Sequence, residues 1–130
     1  MDRHTRTGFT GTRHRLTAPQ LEKLKEVIEG LRGWFHHGDC KGADEQAHHL
    51  AVERQLQIAL HPPESNRLRA YCKAGLSGIV YAAQPYLERN ARIVHATSSL
   101  IACPPPWKRN SGLGLGQRFA MPAKRESRSR

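Results

Sequence analysis

The chain lacks the features that mark several protein classes. Its 130 residues include only three cysteines, Cys40, Cys72 and Cys103; an odd, widely spread set is no disulfide framework. No apolar run approaches the ~18 residues that a membrane span needs, so no membrane partner is expected. Nothing resembling an apolar signal core follows Met1-Asp2-Arg3-His4, so no secretory signal is expected either. A soluble cytoplasmic protein is the expectation. Hydrophobic residues make up 38% and aromatics 6%, which suffices for one modest core and exceeds what a disordered chain carries. One domain suits this length.

Acidic residues are also scarce: 11 Asp+Glu stand against 21 Lys+Arg, for a formal net charge of +10. The excess is uneven. Residues 1–107 hold 14 basic and 10 acidic residues, whereas 108–130 hold seven basic and one acidic. The body is mildly basic and the end strongly so. Residues 1–107 therefore read as the folded domain, and 108–130 as a basic tail of the solvated, disordered kind.

What is present alternates. Thr7–Arg13 mixes β-favouring residues with glycines, a short strand entering a turn. Thr17-Ala18-Pro19-Gln20 is a capping box, and Leu21, Leu24, Val27, Ile28 and Leu31 follow at helical spacing. Trp34-Phe35-His36 reads as a buried strand. Ala43, Ala47, Leu50 and Ala51 give a helix with one small-residue face, and Leu56–Leu60 is a strand stopped by Pro62-Pro63. Residues 64–84 are weakly patterned and read as loop. A third helix runs from about Pro85 to His95 on Tyr86, Ala91, Ile93 and Val94, before a last strand at Ser99–Cys103. Strands separated by helices imply a parallel α/β sheet, whose ligands sit beyond the strands' carboxyl ends.

Those strand ends carry the chemistry. Thr10, Gly11 and Arg13 follow the first strand; Gly38, Asp39, Lys41, Gly42 and Asp44 follow the second; Ser111-Gly112 follows the last. Glycine turns and helix N-termini present backbone N–H groups that suit phosphate. Arg13 and Lys41 add charge, and Arg89-Asn90 offers a fork donor and an amide for phosphate or ribose. Neither a G-x-G-x-x-G fingerprint nor a Walker A motif is present. Asp39 is also the expected N-cap of the second helix, and Asp44 suits the helix dipole in its first turn. Five histidines (His36, His37, His48, His49 and His61) lie near Asp39, Cys40 and Asp44, with Asp44 and His48 at i,i+4 spacing. They form no metal-binding motif, and adjacent histidines point apart, so no metal and no cofactor is implied. Cys40 at a helix N-terminus reads as a small buried thiol rather than a nucleophile.

Taken in order, Gly8–Arg13, His37–Asp44, His61-Pro62-Pro63, Arg89–Val94 and Leu100–Pro104 resemble the YspA/YpsA-related branch of the SLOG superfamily, relatives of DprA and of the cytokinin-activating LOG proteins. The resemblance spans roughly residues 7–112. It implies a Rossmann-like fold with a nucleotide pocket lined by Thr10, Gly11, Arg13, Gly38, Asp39, Gly42, Asp44, Arg89 and Asn90. Beyond Ser111-Gly112 the chain departs from that pattern, and nothing matches the Pro-Gly-Gly-x-Gly-Thr-x-x-Glu motif of LOG enzymes. A truncated or frame-shifted end that lacks the last helix–strand unit is the expectation.

The expected function is binding of a nucleotide or nucleotide-derived phosphorylated ligand at the strand ends. LOG-like hydrolysis of the N-glycosidic bond in a nucleoside 5′-monophosphate is the enzymatic alternative, with Asp39 or Asp44 as the only candidate catalytic carboxylates. DprA-like DNA binding is a third. The expected partner is a small nucleotide-like molecule; an oligomer is compatible with the sequence.

Overall fold

The computed structural model describes residues 5–103. The elements run β1 (Arg6–Gly11), α1 (Ala18–Glu29), β2 (Trp34–His37), α2 (Ala43–Glu53), β3 (Gln57–Leu60), β4 (Ile79–Val80), α3 (Tyr86–Ala96) and β5 (Ser99–Cys103). The strands form one five-stranded sheet in the order β4-β3-β2-β1-β5, with every pairing parallel. A parallel sheet flanked by helices is the Rossmann-like α/β fold that the alternating pattern implies. The basic tail at 108–130, the Ser111-Gly112 loop and the expected lack of a closing helix–strand unit all concern residues outside those described.

Helix α1 forms where its capping box dictates. The Gln20 amide donates to Thr17 Oγ1 (3.2 Å) and the Thr17 amide donates to Gln20 Oε1 (3.0 Å), so two otherwise orphaned N–H groups are satisfied. Its Leu24 and Ile28 are buried against Phe9 and Phe35, whose rings stack with centroids 6.2 Å apart. Ala43, Ala47 and Ala51 of α2 are fully buried in the same core. Side chains alternate along a strand, so Gly8, beside Phe9, faces the opposite side. There α3 lies on it: a Cβ at Gly8 would meet Ile93 Cγ2 at 2.9 Å. Helices α1 and α2 thus cover one face and α3 the other.

The order of strands sets the place of the site. From β1 the chain steps outward through β2 and β3 to β4, then returns through α3 to β5 on the far side of β1. The direction reverses beside β1, so a crevice opens beyond the carboxyl ends of β1 and β5.

Two sequence expectations are corrected. The 64–84 stretch contains the short strand β4, which pairs Ile79 and Val80 with Ala59 and Leu60; two exposed residues leave no alternation to detect. Tyr86 is not part of the buried stripe of α3. It is 63% exposed, and the buried residues of that helix are Arg89 and Ile93.

Candidate functional site

At the switch point lies an open cleft of about 980 Å³, at the upper end of small-ligand sites. Its walls are the end of β1 with the loop from Thr10 to His14, the β2–α2 turn, the segment from Pro63 to Leu68, the first two turns of α3, and Ala102 and Cys103 of β5. Of the residues singled out from sequence, Thr10, Gly11, Arg13, Gly38, Asp44, Arg89 and Asn90 meet there. Asp39, Lys41 and Gly42 do not line it. Ser111 and Gly112 fall outside the described residues.

Arg89 dominates the cleft. It is only 3% exposed, a buried cation. Its Nη1 donates to the Gly38 carbonyl (2.6 Å) and the His61 carbonyl (3.3 Å), and its Nε donates to Asn90 Oδ1 (2.8 Å). Its Nη2 reaches, among the described residues, only the Cys40 sulfur, at 3.7 Å. Among the described residues no carboxylate oxygen lies within 4.0 Å of it. Burying a cation costs several kcal/mol; among the described residues that cost is offset by neutral acceptors, two carbonyls and the Asn90 amide oxygen, and not by an ion pair. Gly38 makes this possible: a side chain there would occupy the space of the guanidinium.

Asp39 turns away from the cleft. Its Oδ1 accepts from the Cys72 amide (2.9 Å), its Oδ2 accepts from Arg69 Nε (3.1 Å), and it is fully buried. It is not the N-cap of α2 either; that position is Gly42, with no side-chain cap. A left-handed φ of 53° at Asp39 swings the carboxylate toward the 69–72 segment. Both its expected roles are therefore replaced by one, tying down a distant loop. Gly42 joins the two glycine loops: it packs against the Arg13 carbonyl, and the Ala43 amide donates to Thr12 O (3.3 Å). Lys41 is exposed.

Asp44 keeps its place in the cleft. Its Oδ2 accepts from the Cys40 amide (3.2 Å), while Oδ1 is buried with no partner among the described residues. Burial raises its carboxyl to about 7, against the opposing pull of Arg89. The Cys40 thiol is pushed up by burial and by Asp44, and Arg89 offsets this only in part; a nucleophilic thiolate is disfavoured.

The histidines form two hydrogen-bonded pairs, one on each face of the sheet. On the α2 face the Asp39 amide donates to His37 Nδ1 (3.0 Å), so the His37 proton sits on Nε2 and is donated to His48 Nδ1 (3.0 Å). On the α3 face Arg92 Nε donates to His61 Nδ1 (3.0 Å), so His61 Nε2 donates to His36 Nδ1 (2.9 Å). Burial holds all four below the usual histidine range, His36 at about 4 and His61 at about 3. His37, His48 and Cys72 bring three potential ligand atoms within 4.8 Å of one another, a different set from the Asp44–His48 pair suggested by spacing. However, a metal-bound histidine ordinarily donates its other ring N–H to an acceptor. Here that ring nitrogen of His37 faces an amide donor, which suits the hydrogen-bonded pair and not a metal ligand.

The site also contains residues that the sequence reading did not single out for it, chiefly Glu64, Ser65, Leu68 and Tyr86. A signal for Tyr86 was present: Tyr86, Arg89, Asn90 and Ile93 share one helical face. The Arg89 Cζ lies 5.4 Å from the Tyr86 ring centroid. The 64–68 segment carries no comparable signal, because tertiary contacts alone bring it to the cleft. No protein family, curated protein or solved structure matches the chain.

Proposed function

We propose that the cleft between the ends of β1 and β5 binds a nucleotide or a nucleotide-derived phosphorylated molecule. One observation carries this reading: Arg89 is a buried cation in the cleft wall, with no carboxylate of the described residues within ion-pair distance. A phosphate there receives the Nη2 donors of Arg89, and Arg13 adds a second charge at the rim. The exposed Tyr86 ring offers a stacking face for a base, and the Asn90 side-chain N–H₂ a donor to sugar or base. The resemblance to SLOG domains supports the same ligand class. Native mass spectrometry of freshly purified protein tests it: a bound mass that fits a phosphorylated nucleotide is expected, and a bare chain that stays bare with added nucleotides overturns it.

A second reading, N-glycosidic hydrolysis of a nucleoside 5′-monophosphate, draws on Asp44. It is the one carboxylate of the two sequence candidates that lines the cleft. Stabilising an oxocarbenium-like centre requires the ionised form, so turnover would rise with pH through about 7. Release of free base, lost in Asp44→Asn, is the outcome that would favour this reading over binding alone. The DNA-binding reading leans on a basic tail outside the described residues. A steep salt dependence of DNA affinity would support it.

A further inference from the structure

Asp44 is a cleft carboxylate that the fold leaves half satisfied. It is 5% exposed and lines the cleft from the first turn of α2. Oδ2 accepts from the Cys40 amide, and the Gly38 amide also favours the charged carboxylate, whereas the buried Oδ1 has no hydrogen-bond partner among the described residues. An ionised carboxylate offers about four lone-pair sites, so a whole oxygen without a donor is a marked deficit. The charged and titratable groups around it are Arg89 from α3, Asp39 and Cys40 from the β2–α2 turn, Cys72 from the 61–84 segment, and Glu45 and His48 on its own helix. Arg13, His14 and Glu64 face the same cleft. Arg89 is the cation whose field chiefly balances an Asp44 charge.

An anion that docks on Arg89 competes for that cation and stands in the same cleft as the carboxylate. Two negative groups sharing a desolvated site cannot both keep their charge at low cost, and the weaker acid takes a proton. We infer that the cleft takes its phosphorylated ligand together with one proton, which Asp44 carries on Oδ1. This rests on the nucleotide-site reading and adds to it a regulation, because affinity then depends on pH through a group that need not touch the ligand. The proton comes from solvent and returns there on release. Burial already brings the carboxyl of the empty site to about 7, so little further perturbation is required.

Isothermal titration with adenosine, guanosine, cytidine and uridine 5′-monophosphates, in two buffers of different ionisation enthalpy, tests the inference. Near pH 8 the wild-type chain is expected to take up close to one proton per ligand bound. Its affinity should fall up to about tenfold per pH unit above neutrality. Asp44→Asn, an uncharged isostere, is expected to show no uptake, to bind about tenfold more tightly than wild type near pH 8, and to match it near pH 6. Wild-type binding with no buffer dependence, or equal uptake in Asp44→Asn, overturns the inference and leaves the nucleotide site standing. Failure of the wild-type chain to bind any of the four at any pH overturns both. Should Asp44→Asn not fold, the wild-type buffer dependence alone decides.

Discussion

Replacing Gly38 with alanine tests the cleft by displacing Arg89 while leaving its guanidinium in the chain. The φ of Gly38 is not left-handed, so the backbone accepts alanine. Its surroundings do not. The new methyl would meet the Arg89 guanidinium, with Cζ at 2.7 Å, and Asp44 Oδ2 at 2.9 Å. Arg89 must leave, and Nη1 loses its bonds to the Gly38 and His61 carbonyls. Two hydrogen bonds from a charged donor contribute about 3–6 kcal/mol together. Stiffening the unfolded chain returns about 0.4–1 kcal/mol, which leaves a net loss of about 2–5 kcal/mol. For a domain of this size Tm should drop by about 10 °C or more, and nucleoside monophosphate affinity by at least about tenfold. Gly30→Ala is the control: its Cβ would find only Val27 O, at 3.7 Å, so stability should hold. Thermal and urea unfolding with titration of both variants make the comparison. A Gly38→Ala chain as stable as wild type, with unchanged affinity, would refute the placement of Arg89.

Other outcomes follow from the same geometry. His36 and His61 stay neutral in the fold to about 4 and about 3, against 6.5 when unfolded. Their folded values are lowered, so the unfolded chain binds more protons as pH falls, and stability rises with pH over that window. Each histidine should cost about 2 kcal/mol on going from pH 7 to about pH 5; urea midpoints that do not move would contradict this. Asp39→Ala leaves Arg69 and the Cys72 amide without their acceptor and should cost about 3 kcal/mol of stability, while nucleotide affinity in the folded fraction stays within twofold or so of wild type. Lys41→Ala should change neither quantity measurably, in the same titrations. Thr17→Ala removes half of the capping box and should cost about 1 kcal/mol, read from urea unfolding.

Local chemistry was legible in the chain, and long-range chemistry was not. The capping box at Thr17 and Gln20, the alanine face of α2 and the strand at Ser99–Cys103 rest on neighbours in sequence, and each forms as its pattern implies. The divergent directions of His36 and His37 follow from strand alternation alone. The place of Asp39 is not legible in the sequence, because its partners Arg69 and Cys72 lie 30 and 33 residues away. A nearby helix start made an N-cap look natural. Arg89 shows the opposite case. Its neighbour Asn90 hinted at a role, but the burial that defines the role depends on Gly38 and His61, 51 and 28 residues distant. Strand β4 escaped notice because two exposed residues carry no period.

Arg89 as an anion receptor is the central claim. The most direct measurement is titration of nucleoside 5′-monophosphates into wild type and Arg89→Met, each shown to be folded by circular dichroism. Saturable 1:1 binding by wild type that falls by at least about tenfold in Arg89→Met is the expected result. Binding that survives the substitution unchanged, or a wild-type chain that binds none of them, would contradict it.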